Sequence, residues 1–149
     1  MPNEYALDDL SLEGFQIVKG TYFAPQSEPK LAIWNTAIGF NPASFAALQQ
    51  CDAVQLLVND EKRRILVRPV SSSDLNSINW KKGIDAPKAV VRIECALFAK
   101  PLFDRWHLDP ELKYRANGRI VNGDKKVMLL FDFTDPEKWR GAKQVRDDE

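Results

Sequence analysis

The chain reads as an α+β domain built from two pseudo-repeated β-α-β-β units, with a mainly antiparallel sheet and short helices packed on it. Three observations predict this. Short apolar/polar runs alternate with the period of two expected of half-buried strands. Two short helical runs, "NPASFAALQQ" (41–50) and "AKPLFDRWHL" (99–108), each carry a proline near their start. Between the two halves, Phe40, Phe45, Leu48 and Val54 lie 58 residues before Phe98, Phe103, Trp106 and Leu112. One such unit cannot bury both its faces, so two copies about a pseudo-twofold axis form the stable object.

The elements follow in order. Residues 1–29 form an N-terminal extension with one strand, "GFQIVKGTYFA" (14–24), in which Gly20 is a candidate bulge. Residues 25–29, "PQSEP", are a loop. The first unit spans 30–70. "KLAIWNTAIGF" (30–40) is extended, with a tight bend at Asn35-Thr36. Asn41 is a natural N-cap and Pro42 suits the first helical position, with Phe45 and Leu48 on the buried side.

"AVQLLVNDEKRRILVRPV" (53–70) is a hairpin bent at residues 59–63. In its second arm Arg64, Leu66 and Arg68 point one way and Ile65 and Val67 the other. Pro69 ends the strand. Residues 71–88 are a connector. The second unit, 89–139, opens with the β-rich "AVVRIECALF" (89–98) and continues into the second helix. "ELKYRAN" (111–117) alternates Leu112 and Tyr114 against Lys113 and Arg115. Asn117-Gly118 and Asn122-Gly123 are turn signals, the second leading into "VMLLFDF" (127–133). "PEKW" (136–139) suits a last helical turn, and residues 140–149 are a polar, frayed tail.

Charge and composition narrow the function classes. A chain of 149 residues with 44% hydrophobic residues needs no staple from metal or disulfide. Cys51 and Cys95 belong to no CxxC pair and read as reduced core thiols. No apolar run nears the roughly 18 residues of a membrane span, and the acidic start lacks a signal-peptide plan. A cytoplasmic protein is the default expectation. Net charge is zero, yet residues 1–60 carry −5, residues 61–126 carry +7 and residues 127–149 carry −2. The middle of the chain therefore suits an anionic partner, unless the acidic ends fold back over it.

Enzyme chemistry finds little support. The lone histidine, His107, has no Ser or Cys nucleophile in a recognisable local motif. One His and two distant Cys make a poor zinc set. Seven scattered glycines form neither GxxxxGK nor GxGxxG. "VNDE" (58–61) lacks the later Gly and Glu of a calcium loop, and Asp132 and Asp135 read as capping acids. No cofactor and no metal is expected.

What remains is surface. Lys62 and Arg63 at the hairpin bend, and Arg64, Arg68, Arg92, Lys113, Arg115 and Arg119 on strands or strand ends, are the candidate nucleic-acid contacts, with Trp80, Tyr114 and Trp34 available for stacking. The competing readings are a solvated face that guards exposed strands and a surface for a protein partner or a second copy.

The motifs "VQLLVND" (54–60), "ILVRP" (65–69), "INW" (78–80), "CALFAKPLFDRW" (95–106), "KYRANG" (113–118) and "LLFDF" (129–133) occur in this order. In them the chain resembles short proteins of Firmicutes integrative and conjugative elements that carry integrase or integrase-associated labels. The likeness spans Leu31 to Phe133. It implies mobile-element company and an accessory or regulatory role, with DNA-associated and anti-defence roles both raised. It does not imply recombination, because His107 is followed by Leu108, Asp109 and Pro110 rather than by the His-x-x-Arg of a tyrosine recombinase. The chain is also too short for a serine recombinase's catalytic domain.

Overall fold

A computed structural model describes residues 10–18, 28–123 and 125–146. It is α+β: a curled, mostly antiparallel sheet with two short helices. The strands are β1 (Lys30–Ile33), β2 (Ala37–Phe40), β3 (Ala53–Asn59), β4 (Arg64–Val70), β5 (Val91–Glu94), β6 (Lys113–Gly123), β7 (Lys126–Asp132), β8 (Glu137–Arg140) and β9 (Lys143–Val145). The helices are α1 (Pro42–Ala47) and α2 (Ala96–Arg105). The sheet runs β3-β4-β7-β6-β1-β2-β5, and β8 pairs with β6 and β9.

Alternation explains the core. Leu31 and Ile33, Ile38 and Phe40, Ile65 and Val67, Tyr114 and Ala116, and Leu129 and Phe131 all turn to the inside of the curl. Phe45 of α1 and Leu102 and Phe103 of α2 join them. Asn41 caps α1 as expected: its Oδ1 accepts from the Ser44 backbone N–H at 3.2 Å, and Pro42 stands at the first helical position.

The element order β2-α1-β3-β4 is followed by β5-α2-β6-β7. β2 pairs with β5 and β4 with β7, both antiparallel. Leu48 and Trp106 both stand at helix C-caps. The 58-residue offset fails at its first and last points, because Phe40 ends a strand while Phe98 lies in a helix, and Val54 lies inside β3 while Leu112 precedes β6. At the first point the reason is length: α2 begins at Ala96, earlier than the sequence pattern suggested, and Pro101 falls inside it.

Other expectations are corrected. Residues 137–140 are strand rather than a helical turn, because the first half of β6 leaves an edge that they pair along. Residues 143–145 extend the sheet instead of fraying. Asn117-Gly118 lies inside β6, not in a turn. A Cβ on Gly118 would sit 2.5 Å from the Phe131 ring, so packing rather than a bend calls for the glycine. Of the expected N-terminal strand, residues 14–18 take no strand pairing, and residues 19–24, with the Gly20 bulge, lie outside the described residues. The connector is more than a tether: Trp80 is fully buried between Phe40 and Phe45, and its Nε1 donates to the Cys51 carbonyl at 2.8 Å.

Candidate functional site

Opposite the core, register lines up one row of outward side chains across five strands. Arg92 of β5 stands beside Gly39 of β2, Gly39 beside Ala32 of β1, Ala32 beside Arg115 of β6, and Arg115 beside Glu137 of β8. The two small residues in the middle leave a trough of about 460 Å³, which Lys30, Trp34, Asn41, Val90 and Lys113 complete. Gly39 is needed here because Trp34 lies against it. A Cβ at that position would come within 3.0 Å of the indole.

Cations and indoles alternate along this surface. The Arg92 guanidinium lies 4.6 Å from the Trp34 ring centre and the Lys113 ammonium 5.8 Å from it. Lys113 is also 5.2 Å, and Arg115 5.0 Å, from the Trp139 ring. Each contact uses the negative face of the indole. The carboxylates present are engaged. Glu137 Oε2 accepts from Arg115 Nε at 2.8 Å and stands 3.9 Å from Lys30, while Glu94 Oε1 accepts from Arg92 at 2.9 Å. The hydrogen bond from Arg115 holds the Glu137 carboxyl below the usual glutamate range. Partial burial, then the Arg115 charge, pushes Lys113 below the ordinary lysine range. No carboxylate of the described residues forms an ion pair with Lys113. The Trp139 indole N–H is shielded and has no acceptor among the described residues.

The sequence-predicted residues therefore separate. Arg92, Lys113 and Arg115 gather around Trp34, and Lys30 and Trp139, which sequence reasoning missed, belong with them. Trp139 was hidden because "PEKW" reads locally as a helix start. The hairpin residues lie on the other half of the sheet. Arg64 faces Asp132 across the β4–β7 pair at 3.3 Å. Arg68 Nε donates to Gln55 Oε1 at 2.8 Å. Lys62 and Arg63 form the β3–β4 bend, where Arg63 has a left-handed φ of 54°. Arg119 is exposed on β6, beside Leu130. Of the proposed stacking residues, Trp80 is 0% and Tyr114 5% exposed, so both are core and only Trp34 offers a surface.

Elsewhere the titratable groups serve the fold. Asp60, at the hairpin tip, accepts from Trp106 Nε1 at 2.8 Å and Arg105 Nε at 3.0 Å, which ties the hairpin to the end of α2. The Trp106 bond leads in holding its carboxyl low. Burial pushes both thiols, Cys51 and Cys95, above the usual range, which disfavours the thiolate. His107 is exposed with φ 54°. Among the described residues no cluster of three His, Cys, Asp or Glu is placed to hold a metal, and no helix is long and apolar enough to cross a membrane.

No protein-family model, no curated protein and no solved structure matches this chain.

Proposed function

We propose that this chain is a non-enzymatic, cytoplasmic accessory protein of a mobile genetic element that binds single-stranded nucleic acid on the Trp34–Trp139 face. The observation that carries the reading is the alternation Arg92, Trp34, Lys113, Trp139, Arg115. Crowded cations with too few carboxylates favour a polyanion, and indoles among them offer stacking surfaces that any base can use. Phosphates draw the cations off the rings, and bases take the faces they leave. The resemblance to proteins of integrative and conjugative elements supplies the biological setting. In the same reading the two β-α-β-β units are copies related by an approximate dyad. The antiparallel β2–β5 and β4–β7 pairs, each joining like strands, support it.

The test is fluorescence anisotropy with a labelled oligothymidylate of about 12 nucleotides, a length within the usual footprint of such surfaces. Titrations at about 50 and 200 mM salt should show affinity falling with salt. Replacing Arg92 and Lys113 together with Ala should weaken binding and flatten the salt slope by roughly 0.7 for each phosphate no longer neutralised. Arg64→Ala with Arg68→Ala should leave both unchanged. No binding at low salt rejects the reading, and a weakening that follows Arg64 and Arg68 instead moves the site to the hairpin.

A further inference from the structure

β3 and β5 end the seven-strand path, and among the described residues no strand pairs along the outer edge of either. Every neighbouring pair along the seven-strand path is antiparallel, so these two end strands run in the same direction. The curl of the sheet brings them to opposite sides of a groove of about 680 Å³. Leu56, Ile78, Ile93 and Phe98 give it an apolar lining, and Cys95 stands in its wall.

The backbone along both walls is set for a further strand. Val54 exchanges hydrogen bonds with Ile78 at 3.0 and 2.8 Å on the groove side. Alternation then turns the peptide groups of Leu56 and Val58 to that same side, where neither has a backbone partner among the described residues. On β5 the Cys95 N–H points the other way, donating to the Thr36 carbonyl at 2.8 Å, so Glu94 and Arg92 turn theirs to the groove. The Arg92 carbonyl accepts from the Lys82 ammonium there. The single antiparallel Val54–Ile78 bridge occupies one rung of a missing strand. If the two units are related by a dyad, this is the place of the image of β1, which lies between β6 and β2.

The chain carries a segment that fits. In residues 10–18 the apolar side chains are bare: Leu12 is 74%, Phe15 70% and Ile17 99% exposed. Phe15 and Ile17 are two apart, the spacing that puts both on one face of a strand. We infer that residues Phe15–Val18 add to the sheet in cis, antiparallel to β3 and β5, and close it into an eight-stranded barrel. The direction agrees with the connectivity. A strand running against β5 ends at the end of the curl where β1 begins, because β1 and β5 run alike. The linker, residues 19–29, can span up to about 36 Å. Three strand spacings from the groove to β1 are only about 14 Å.

Full-length protein carrying Cys51→Ala leaves Cys95 as the only thiol, and its alkylation by iodoacetamide reads groove occupancy. Ile17→Asp should raise that rate roughly tenfold for a segment docked about nine-tenths of the time. It should also speed hydrogen exchange at the Leu56 and Val58 amides, with circular dichroism unchanged. A synthetic peptide of residues 12–20 should restore both protections. Equal rates with and without Ile17→Asp overturn the inference. Protection that rises with protein concentration, together with a dimer mass in light scattering, puts a second copy in the groove and overturns the in-cis assignment.

Discussion

At the scale of single residues, the trough depends on what is absent. Gly39 and Ala32 occupy the outward positions between Arg92 and Arg115, and any larger side chain fills the space that Trp34 and the cations frame. Gly39→Val should lower affinity for the labelled oligonucleotide, with an unchanged circular dichroism spectrum separating this from unfolding. Asp60 illustrates a second kind of residue, an acid that serves the fold. Its folded-state carboxyl is held low, as are those of Asp132 and Glu137. A depressed carboxylate contributes stability that is full above its unfolded pKa and is lost as pH falls through the folded one. Thermal midpoints should therefore be flat from about pH 8 to 5 and fall below about pH 4. Asp60→Asn should lower the midpoint at neutral pH and soften the acid decline, as measured by calorimetry across that range. Outward placement of Lys113, Arg115 and Arg92 was legible in the sequence, because strand alternation is a local rule. The roles of Lys30, Trp139 and Trp80 were not, since each depends on partners far along the chain, such as the Cys51 carbonyl, 29 residues away, for Trp80.

Among the elements, β6 has the largest consequences. Its first residues pair with β1 on one edge and β8 on the other, and its later residues pair with β7. Sequence reasoning places a turn at Asn117-Gly118 because that dipeptide is a strong local turn signal. Long-range pairing overrides it, and Gly118 serves instead to admit the Phe131 ring. Gly118→Val should cost about 1–3 kcal/mol by overpacking, read as a shift of the denaturant midpoint at constant slope. Phe131→Ala, which empties the same contact from the other side, should cost about 3–5 kcal/mol. The helices follow a similar lesson. α1 was legible from Asn41 and Pro42, since capping is local. α2 starts earlier than its proline implies, because only burial of Ala99, Leu102 and Phe103 decides which residues must be helical.

For the whole molecule, the charge blocks of the sequence resolve into ion pairs. Asp52 meets Lys81, Asp60 meets Arg105, Asp132 meets Arg64 and Glu137 meets Arg115. The acidic flanks thus fold back over part of the basic centre, and into the trough they send Glu137, which pairs with Arg115 and Lys30 and leaves Lys113 with no ion-pair partner among the described residues. Raising salt should weaken oligonucleotide binding far more than it lowers the thermal midpoint, because exposed pairs add little to stability. The α+β class and most strands were legible because period-two patterns are local. The order β3-β4-β7-β6-β1-β2-β5 was not, because it joins β1 to a strand that begins 80 residues after β1 ends. That joint governs how the protein is made. A nascent chain emerging from the ribosome holds β1 and β2 long before their central neighbour exists. Until translation passes Gly123, half of the eventual sheet travels with bare hydrogen-bonding edges, a natural client for chaperones that shield such intermediates.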